Sequence, residues 1–446
     1  MKLREVELRV PKMGKMTLSL MQLTVEQGEV LFELPFEHDV HRRHRYVIKE
    51  FPVLRWSNGM PWHEANAWFV SQAPNIPLGD LSISTLHSNG YALLAFMRFL
   101  EASNLAWNYL PIIDAERAIN KYRGHLISER TEGHITPSTT SSRMGVALRF
   151  YRWAQRTGLL HQDCFEIITP GVINIRNMLG PLARIPQNFS NLSIPNKSRN
   201  SDVVEGGLVP LEVSERDELL NFANDHASIE LLLILKVAFA TGLRIGSICD
   251  LKLNTLDWAY ADADERLFWM HVGPGVKGAP VKTKFSINGR VLISKDLLDE
   301  LKTYVKSVRR LMREAKALDS DTQLVFLNKN GRSYGREGGM QSSQVCGLLS
   351  KLKVKAKAAG LDISDFHIHR ARASFGTYVV MAGMSLMPEV QLISTLCFTR
   401  DLMLHKHESV TMTYVRFIEN RVIKSAFADE YTRMLIGRFA ESMSNG

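Results

Sequence analysis

The chain has 446 residues, 45% of them hydrophobic and 23% charged, with a formal net charge of +9 and a pI near 9.3. That length exceeds one ordinary core and predicts two or three domains, and the basic balance favours an anionic partner, nucleic acid being the commonest. A membrane protein is disfavoured, because no run of about 18 apolar residues occurs and the most apolar stretch, IELLLILKVAFA (229–240), is interrupted by Glu230 and Lys236.

The N-terminal MKLREVELRVPKMGKM lacks the apolar run of a signal peptide. Residues 1–78 are rich in β-formers, as in EVLFELPF and RYVIKEFPVLRW, and predict a β-containing segment that could serve as an accessory or arm-type domain. Its cluster HDVHRRHR (38–45) is a basic stretch able to touch phosphates or simply to face water.

Residues 79–188 predict a helical domain. Leu93, Met97 and Leu100 recur at helical spacing, as do Met144, Leu148 and Tyr151. Arg149, Arg152 and Arg156 fall on another face of that second helix, a pattern suited to lying along a nucleic-acid backbone, and Gly158 is a natural stop. Residues 189–207, dense in Asn, Ser, Pro and Gly, predict a linker. From 208 to 446 the reading is mainly helical, with Ser214 and Asp217 as a capping-box-like start and two strands, RLFWMHVG and the region around KTKFSINGRVLIS. The cysteines Cys164, Cys249, Cys346 and Cys397 are scattered without a CxxC pair, which argues for a reducing compartment and against a cysteine-based zinc site.

The chemistry concentrates in three stretches: ATGLRIGSICDLKL (240–253), HIHRARASFGT (367–377) and LHKHESVTMTY (404–414). His367, His369, His405, His407 and Glu408 could in principle ligate a metal, but Arg370 and Arg372 would repel a dication there, so no metal is expected. A phosphate clamp fits better, since guanidinium groups match phosphate oxygens two at a time and keep their charge. Arg244, emerging where Thr241 and Gly242 break an apolar helix, supplies the second guanidinium.

Taken together, TGLR, HRARASFG and a His nine residues before a Tyr, with a Thr three before it, resemble the signature of the tyrosine recombinases, the phage integrase family. The resemblance covers about 208–430 well and 79–188 only as a plausible core-binding domain. It implies a mainly α fold, an α+β catalytic domain with a small β-sheet joined to a helical core-binding domain, clamped as a C around DNA. It further implies that Arg244 and Arg372 hold the scissile phosphate and that Tyr414 attacks it to form a 3′-phosphotyrosyl link. His369 would assist proton transfer and His405 would donate to a phosphate oxygen. A hairpin lysine would protonate the leaving oxygen; Lys284 fits best, Lys282 is the alternative, and Lys277 and Lys282 are candidate DNA contacts. Three positions depart from the family pattern: Ser247 where an acidic residue is common, Ala373 where His or Lys is, and Leu404 where Gly is.

The implied activity is site-specific recombination in integration, excision or transposition of a mobile element, without a cofactor. The implied partner is double-stranded DNA carrying specific sites, bound by a homo-oligomer that is a tetramer in the synaptic complex and can be a monomer when free. The expected location is the bacterial cytoplasm or nucleoid, with no membrane. A type IB topoisomerase-like enzyme and a catalytically weak DNA-binding protein on the same fold are the rival readings. The helical pattern after Tyr414, with Ile418, Val422 and Phe427 apolar, suits a tail that docks on a neighbouring protomer or on its own domain.

Overall fold

The computed structural model describes, with side chains, residues 51–76, 81–160, 190–196, 203–205, 207–262, 265–335, 342–385 and 393–421, together with Ile48. It describes the backbone alone for the strands between residues 12 and 48, for 169–176 and 182–189, and for 386 and 391–392. The chain divides into two compact units, Met1–Ser198 and Arg199–Gly446.

In the first unit, β1 (Lys12–Met13) pairs with β6 (Phe51–Pro52). Strands β2 (Thr17–Ser19), β3 (Leu23–Thr24), β4 (Val30–Phe36) and β5 (Asp39–Ile48) form a sheet of order β3-β2-β4-β5. Of the HDVHRRHR cluster, 39–45 run along β5, and His38 lies outside the described residues. The helices are α1 (His63–Gln72), α2 (Ile83–Ala102), α3 (Ala118–Thr131) and α4 (Pro137–Arg156). Leu93, Met97 and Leu100 of α2, and Met144, Leu148 and Tyr151 of α4, are buried as their spacing predicts.

Three sequence expectations need correction in this unit. A break at residue 78 does not describe the core, because α1 belongs to it: Ala65, Trp68 and Phe69, spaced i, i+3 and i+4, are buried with Trp62. The Trp62 ring centroid lies 5.4 Å from that of Phe150 on α4. The helical reading also fails near its end, where β7 (Thr169–Arg176) and β8 (Leu182–Phe189) form an antiparallel hairpin with Ile173 opposite Ile185. Pro170 and Pro186 oppose a helix, and Val172, Ile173 and Ile175 favour an extended chain. Finally, the stretch expected as linker is partly core: Leu192 and Ile194 are buried in this unit, and Arg123 Nε donates to the Leu192 carbonyl at 3.2 Å.

In the second unit come α5 (Val213–His226), α6 (Ile229–Thr241), α7 (Ile245–Cys249) and α8 (Leu253–Asp257). A three-stranded antiparallel sheet follows, of order β11-β10-β9, built from β9 (Tyr260–Ala261), β10 (Leu267–Val272) and β11 (Gly289–Ser294). The helices continue with α9 (Lys295–Val305), α10 (Val308–Glu314), α11 (Ser343–Ala358), α12 (Ile368–Leu386) and α13 (Gln391–Leu402). A last helix, α14, spans 408–421. The α5 start is set by Glu212 and Glu215 rather than by Ser214 and Asp217; Glu215 Oε2 accepts from the Glu212 amide at 2.8 Å.

Helix α6 is apolar on all sides because it runs through the core, with Leu231 to Leu235, Val237 and Ala238 all buried. Its one buried carboxylate, Glu230, is neutralised by Arg309 at 2.7 Å and Arg313 at 2.9 Å. Among the described residues, no helix is long and apolar enough to cross a membrane.

Candidate active site

Gly242 ends α6 in the left-handed region (φ 63), and a Cβ there would sit 2.3 Å from the Phe375 ring of α12. Glycine is therefore required on both backbone and packing grounds. The turn it makes delivers Arg244 to the N-cap of α7. Arg372 projects from α12 and is 2% exposed. Its two terminal nitrogens donate to main-chain carbonyls, of Gly242 at 2.6 Å and of Met403 at 2.7 Å, so the turn after α6 and the end of α13 are joined through one guanidinium.

The Nε edge of Arg372 faces a carboxylate that the sequence reading did not single out. Glu205, from the stretch expected as linker, places both oxygens 3.3 Å from Arg372 Nε. His405 Nε2 lies 2.5 Å from Oε1, and His369 Nε2 lies 3.2 Å from Oε2. Burial opposes ionisation of Glu205, but the two imidazoles and Arg372 hold its carboxyl well below the usual carboxylate range. The only local signal for it is a lone Glu between two valines and two glycines, VVEGG.

Tyr414, on α14, is fully buried beneath this group, its ring stacked at 26° and 6.2 Å from that of His405. Its hydroxyl makes no hydrogen bond of ordinary geometry. Burial and then the Glu205 charge raise its pKa well above 10, while Arg372 and Arg244 oppose them. Arg244 forms no ion pair among the described residues; burial and Arg372 push its pKa down to about 10 against the pull of Glu205 and Tyr414. Arg244, His369, Arg372, His405 and Tyr414 thus gather around one anionic position. Gly376 allows the close approach of Tyr414, since a Cβ there would sit 2.6 Å from Tyr414 Cε1.

Lys277, Lys282 and Lys284 are exposed in the 273–288 loop between β10 and β11. The Lys282 backbone is held at two points: its carbonyl accepts from Ser247 Oγ at 2.7 Å, and its amide donates to Asp250 Oδ2 at 2.7 Å. Ser247, one of the departures, thus has a defined place supporting the loop. Lys284 Nζ and Lys406 Nζ lie 5.1 and 5.3 Å from the same ring, that of Phe285, which brings Lys284 beside the neighbour of His405. The other departures are also accommodated. Ala373 is buried in the apolar cluster around Tyr414. Leu404 takes φ 51, a left-handed value that glycine adopts freely, and its side chain fills the space over Gly289.

His367 and His407 are exposed and join none of these contacts. Among the described residues, the grouping with metal-ligand spacing is Glu129, Glu132 and His134, all of the first unit. In the first unit, Arg149 donates to Asn89 Oδ1 at 3.1 Å, and neither it nor Arg152 or Arg156 forms an ion pair among the described residues. Val422 and Phe427 lie outside the described residues, while Ile418 is buried beside Tyr414.

Residues 210–420 match the sequence model of the phage integrase family. No curated protein sequence matches the chain. Among solved structures, the fold is similar to that of the XerH site-specific recombinase bound to palindromic difH substrate in a post-cleavage complex. That match has 14% identity, covers 82% of this chain and 85% of that chain, and has a TM-score of 0.51. The Tn1549 transposon integrase in complex with transposon right end DNA matches at 14% identity over 81% of this chain and 99% of that one (TM-score 0.48). A lambda integrase dimer bound to a COC′ core site matches at 12% identity over 78% and 94% (TM-score 0.44).

Proposed function

The chain belongs to the phage integrase family of tyrosine recombinases, residues 210–420 carrying the family domain, and from that premise we propose that it is a site-specific DNA recombinase using Tyr414 as nucleophile. One observation carries the reading. Arg372, His369 and His405 converge on a single buried carboxylate directly above a buried phenol, with Arg244 close enough to feel both. A pocket of that composition is suited to a phosphodiester held for in-line attack.

In the proposed reaction the Tyr414 oxygen attacks phosphorus, its proton passing to His369, while the bond from phosphorus to the 5′-oxygen breaks. Lys284 gives that oxygen a proton, leaving a 3′-phosphotyrosyl link and a free 5′-hydroxyl. Arg244 and Arg372 meet the charge that builds on the non-bridging oxygens, and the Nε2–H of His405 donates to one of them. The bond energy stays in the phosphotyrosine, so reversal by a second 5′-hydroxyl rejoins DNA without a nucleotide. Arg149, Arg152 and Arg156 of α4 and the exposed Lys277 and Lys282 would lie along the DNA backbone. The biological setting that fits is integration, excision or transposition of a mobile element by a tetramer assembled on paired sites.

The test is a nicked suicide duplex from which the 5′ end is lost after cleavage. Wild-type protein should accumulate a covalent protein–DNA adduct, and Tyr414→Phe should abolish it while binding the same duplex. Absence of an adduct on cognate DNA would leave only a binding protein on this fold.

A further inference from the structure

The pocket that should receive a phosphate is already occupied by a side chain of the same protein. The occupant is chemically apt: a carboxylate, like a phosphodiester, carries one negative charge on two equivalent oxygens. The Glu205 side chain is 6% exposed, and three separate donors reach it, two from α12 and one from the turn before α14.

The chain that carries Glu205 is strapped along α12. The Val209 carbonyl accepts from Arg370 Nε at 2.8 Å, the Leu211 amide donates to Ser374 Oγ at 2.7 Å, and the Leu211 carbonyl accepts from the Tyr378 hydroxyl at 2.8 Å. Before Glu205, Val204 is 1% exposed in the apolar cluster that also holds Tyr414, and it bridges to Leu208 through two backbone hydrogen bonds of 2.8 Å. The strap is thus fixed on both sides of the carboxylate.

At the tip the backbone is strained. Glu205 has φ 35, in the left-handed region that a residue with a Cβ avoids, and such a conformation costs about 1–3 kcal/mol unless surrounding contacts impose it. Two restraints hold it here: the turn closed by the Val204–Leu208 bridge, and the contacts of the carboxylate with His405, His369 and Arg372. Gly206 and Gly207 follow at once, and Gly207 has φ 112 with nothing near its Cα that a side chain would strike. Loss of the carboxylate contacts therefore removes one of the two restraints on the strained rotation, near Gly207, which takes such angles freely.

We propose that Glu205 is an internal ligand of the phosphate pocket, filling it in the DNA-free protein and yielding it only to a DNA phosphate that is bound well enough to compete. The inference rests on the reading of that pocket as the scissile-phosphate site. It makes cleavage conditional on DNA that is already gripped elsewhere, because a stray anion or loosely held phosphate must displace a tethered carboxylate. Beside burial, the charge of the same carboxylate also raises the Tyr414 pKa while the pocket is closed.

Competition of this kind lowers the apparent affinity of an outside anion by the fraction of time the pocket is open; a pocket open about a tenth of the time weakens it about tenfold. The experiment compares wild type, Glu205→Ala and Glu205→Gln in two arms. In the first, without DNA, thermal unfolding is followed against inorganic phosphate. Both variants should be stabilised at phosphate concentrations at least about tenfold below those that act on wild type. Equal responses in all three proteins overturn the proposal. A variant that unfolds at lower temperature but recovers with phosphate supports it, and Glu205→Gln keeps the side chain's shape should Glu205→Ala lose the fold.

In the second arm, covalent adduct formation is timed on the suicide duplex at subsaturating DNA. Faster adduct formation by both variants supports the plug; slower formation overturns it and makes Glu205 a participant in the reaction. If no protein forms an adduct while the phosphate arm still separates wild type from variants, the recombinase reading fails and the internal ligand stands.

Discussion

Thr411 and His405 fix each other's protons. His405 Nε2 faces the Glu205 carboxylate, which can only accept, so Nε2 carries the hydrogen; Nδ1 then accepts from the Thr411 hydroxyl at 2.9 Å. Burial and the neighbouring Arg372 push the His405 pKa below its usual 6.5 against the opposing pull of Glu205, which keeps the ring neutral and in this tautomer. When phosphate replaces the carboxylate, the same N–H is already aimed at its oxygen.

Thr411→Val keeps the shape of a fully buried side chain but leaves Nδ1 without a donor. The proton is then free to settle on Nδ1, which would withdraw the donor from the phosphate. Adduct formation should fall about tenfold, the effect of roughly one hydrogen bond. Its pH dependence should shift with it, and Thr411→Ser should restore both. A loss of stability with an unchanged pH profile would mean that Thr411 only fills space.

Gly376 and Tyr414 make a second prediction. A Cβ at 376 would lie 2.6 Å from Tyr414 Cε1 and 2.6 Å from Met403 Sδ, both fully buried. Gly376→Ala must therefore move the phenol, and a displacement of about 1 Å in a reacting group costs on the order of a hundredfold in rate. The variant should fold, bind the duplex and form adduct at least about a hundredfold more slowly. Adding Met403→Ala, which opens space beside the ring, should recover part of the loss. Wild-type cleavage by Gly376→Ala would show that the ring has room to yield.

The motif boxes were legible because each is short and local. Gly242 can be read as a helix stop and Arg244 as the residue it releases, since the break in an apolar run is visible within a few positions. The pairing of the boxes followed from family resemblance rather than from physics. Glu205 was not legible: its partners Arg372 and His405 stand 167 and 200 residues away, and no pattern in VVEGG announces them. Residues 169–176 and 182–188 depart from the helical expectation because an amphipathic helix upstream dominates the pattern, while the prolines and β-branched residues that decide the matter are individually weak. Trp62 and Phe69 were separated from their core for a similar reason, the β-rich stretch before them having been extended too far.

Lys284 and Lys282 are separable by leaving-group chemistry. The Lys282 backbone is tied down by Ser247 and Asp250, whereas Lys284 shares the Phe285 ring with Lys406, next to His405. If Lys284 is the general acid, Lys284→Ala should slow cleavage by about 10²–10⁴-fold. A substrate with sulfur in place of the bridging 5′-oxygen leaves as a thiolate and needs no proton, so it should be cut at nearly the wild-type rate. Lys282→Ala should lower duplex affinity and show no such rescue. The reverse pattern would transfer the role to Lys282.

The buried Glu205–His405 pair gives stability a two-stage dependence on pH, read best as the gap between wild type and Glu205→Gln by denaturant unfolding in buffer free of multivalent anions. Above about pH 6.5 neither group changes charge in folded or unfolded chain, and the gap is flat. As pH falls below that value, the unfolded chain protonates its histidine, whereas the folded one resists because its pKa is depressed. The variant resists more, having lost the carboxylate that pulls the His405 pKa upward, so it loses stability faster and the gap widens. Below about 4.5 the unfolded wild-type chain begins to protonate Glu205, while the folded form, whose carboxyl is held well below that range, does not. Stability contributed by the ionised carboxylate is then lost as pH falls further, in wild type alone, and the gap narrows again. A gap that only narrows as pH falls would mean that Glu205 does not pull the His405 pKa upward, whereas widening that begins well above pH 6.5 would mean that His405 is already charged in the folded protein, and that the neutral-imidazole arrangement is wrong.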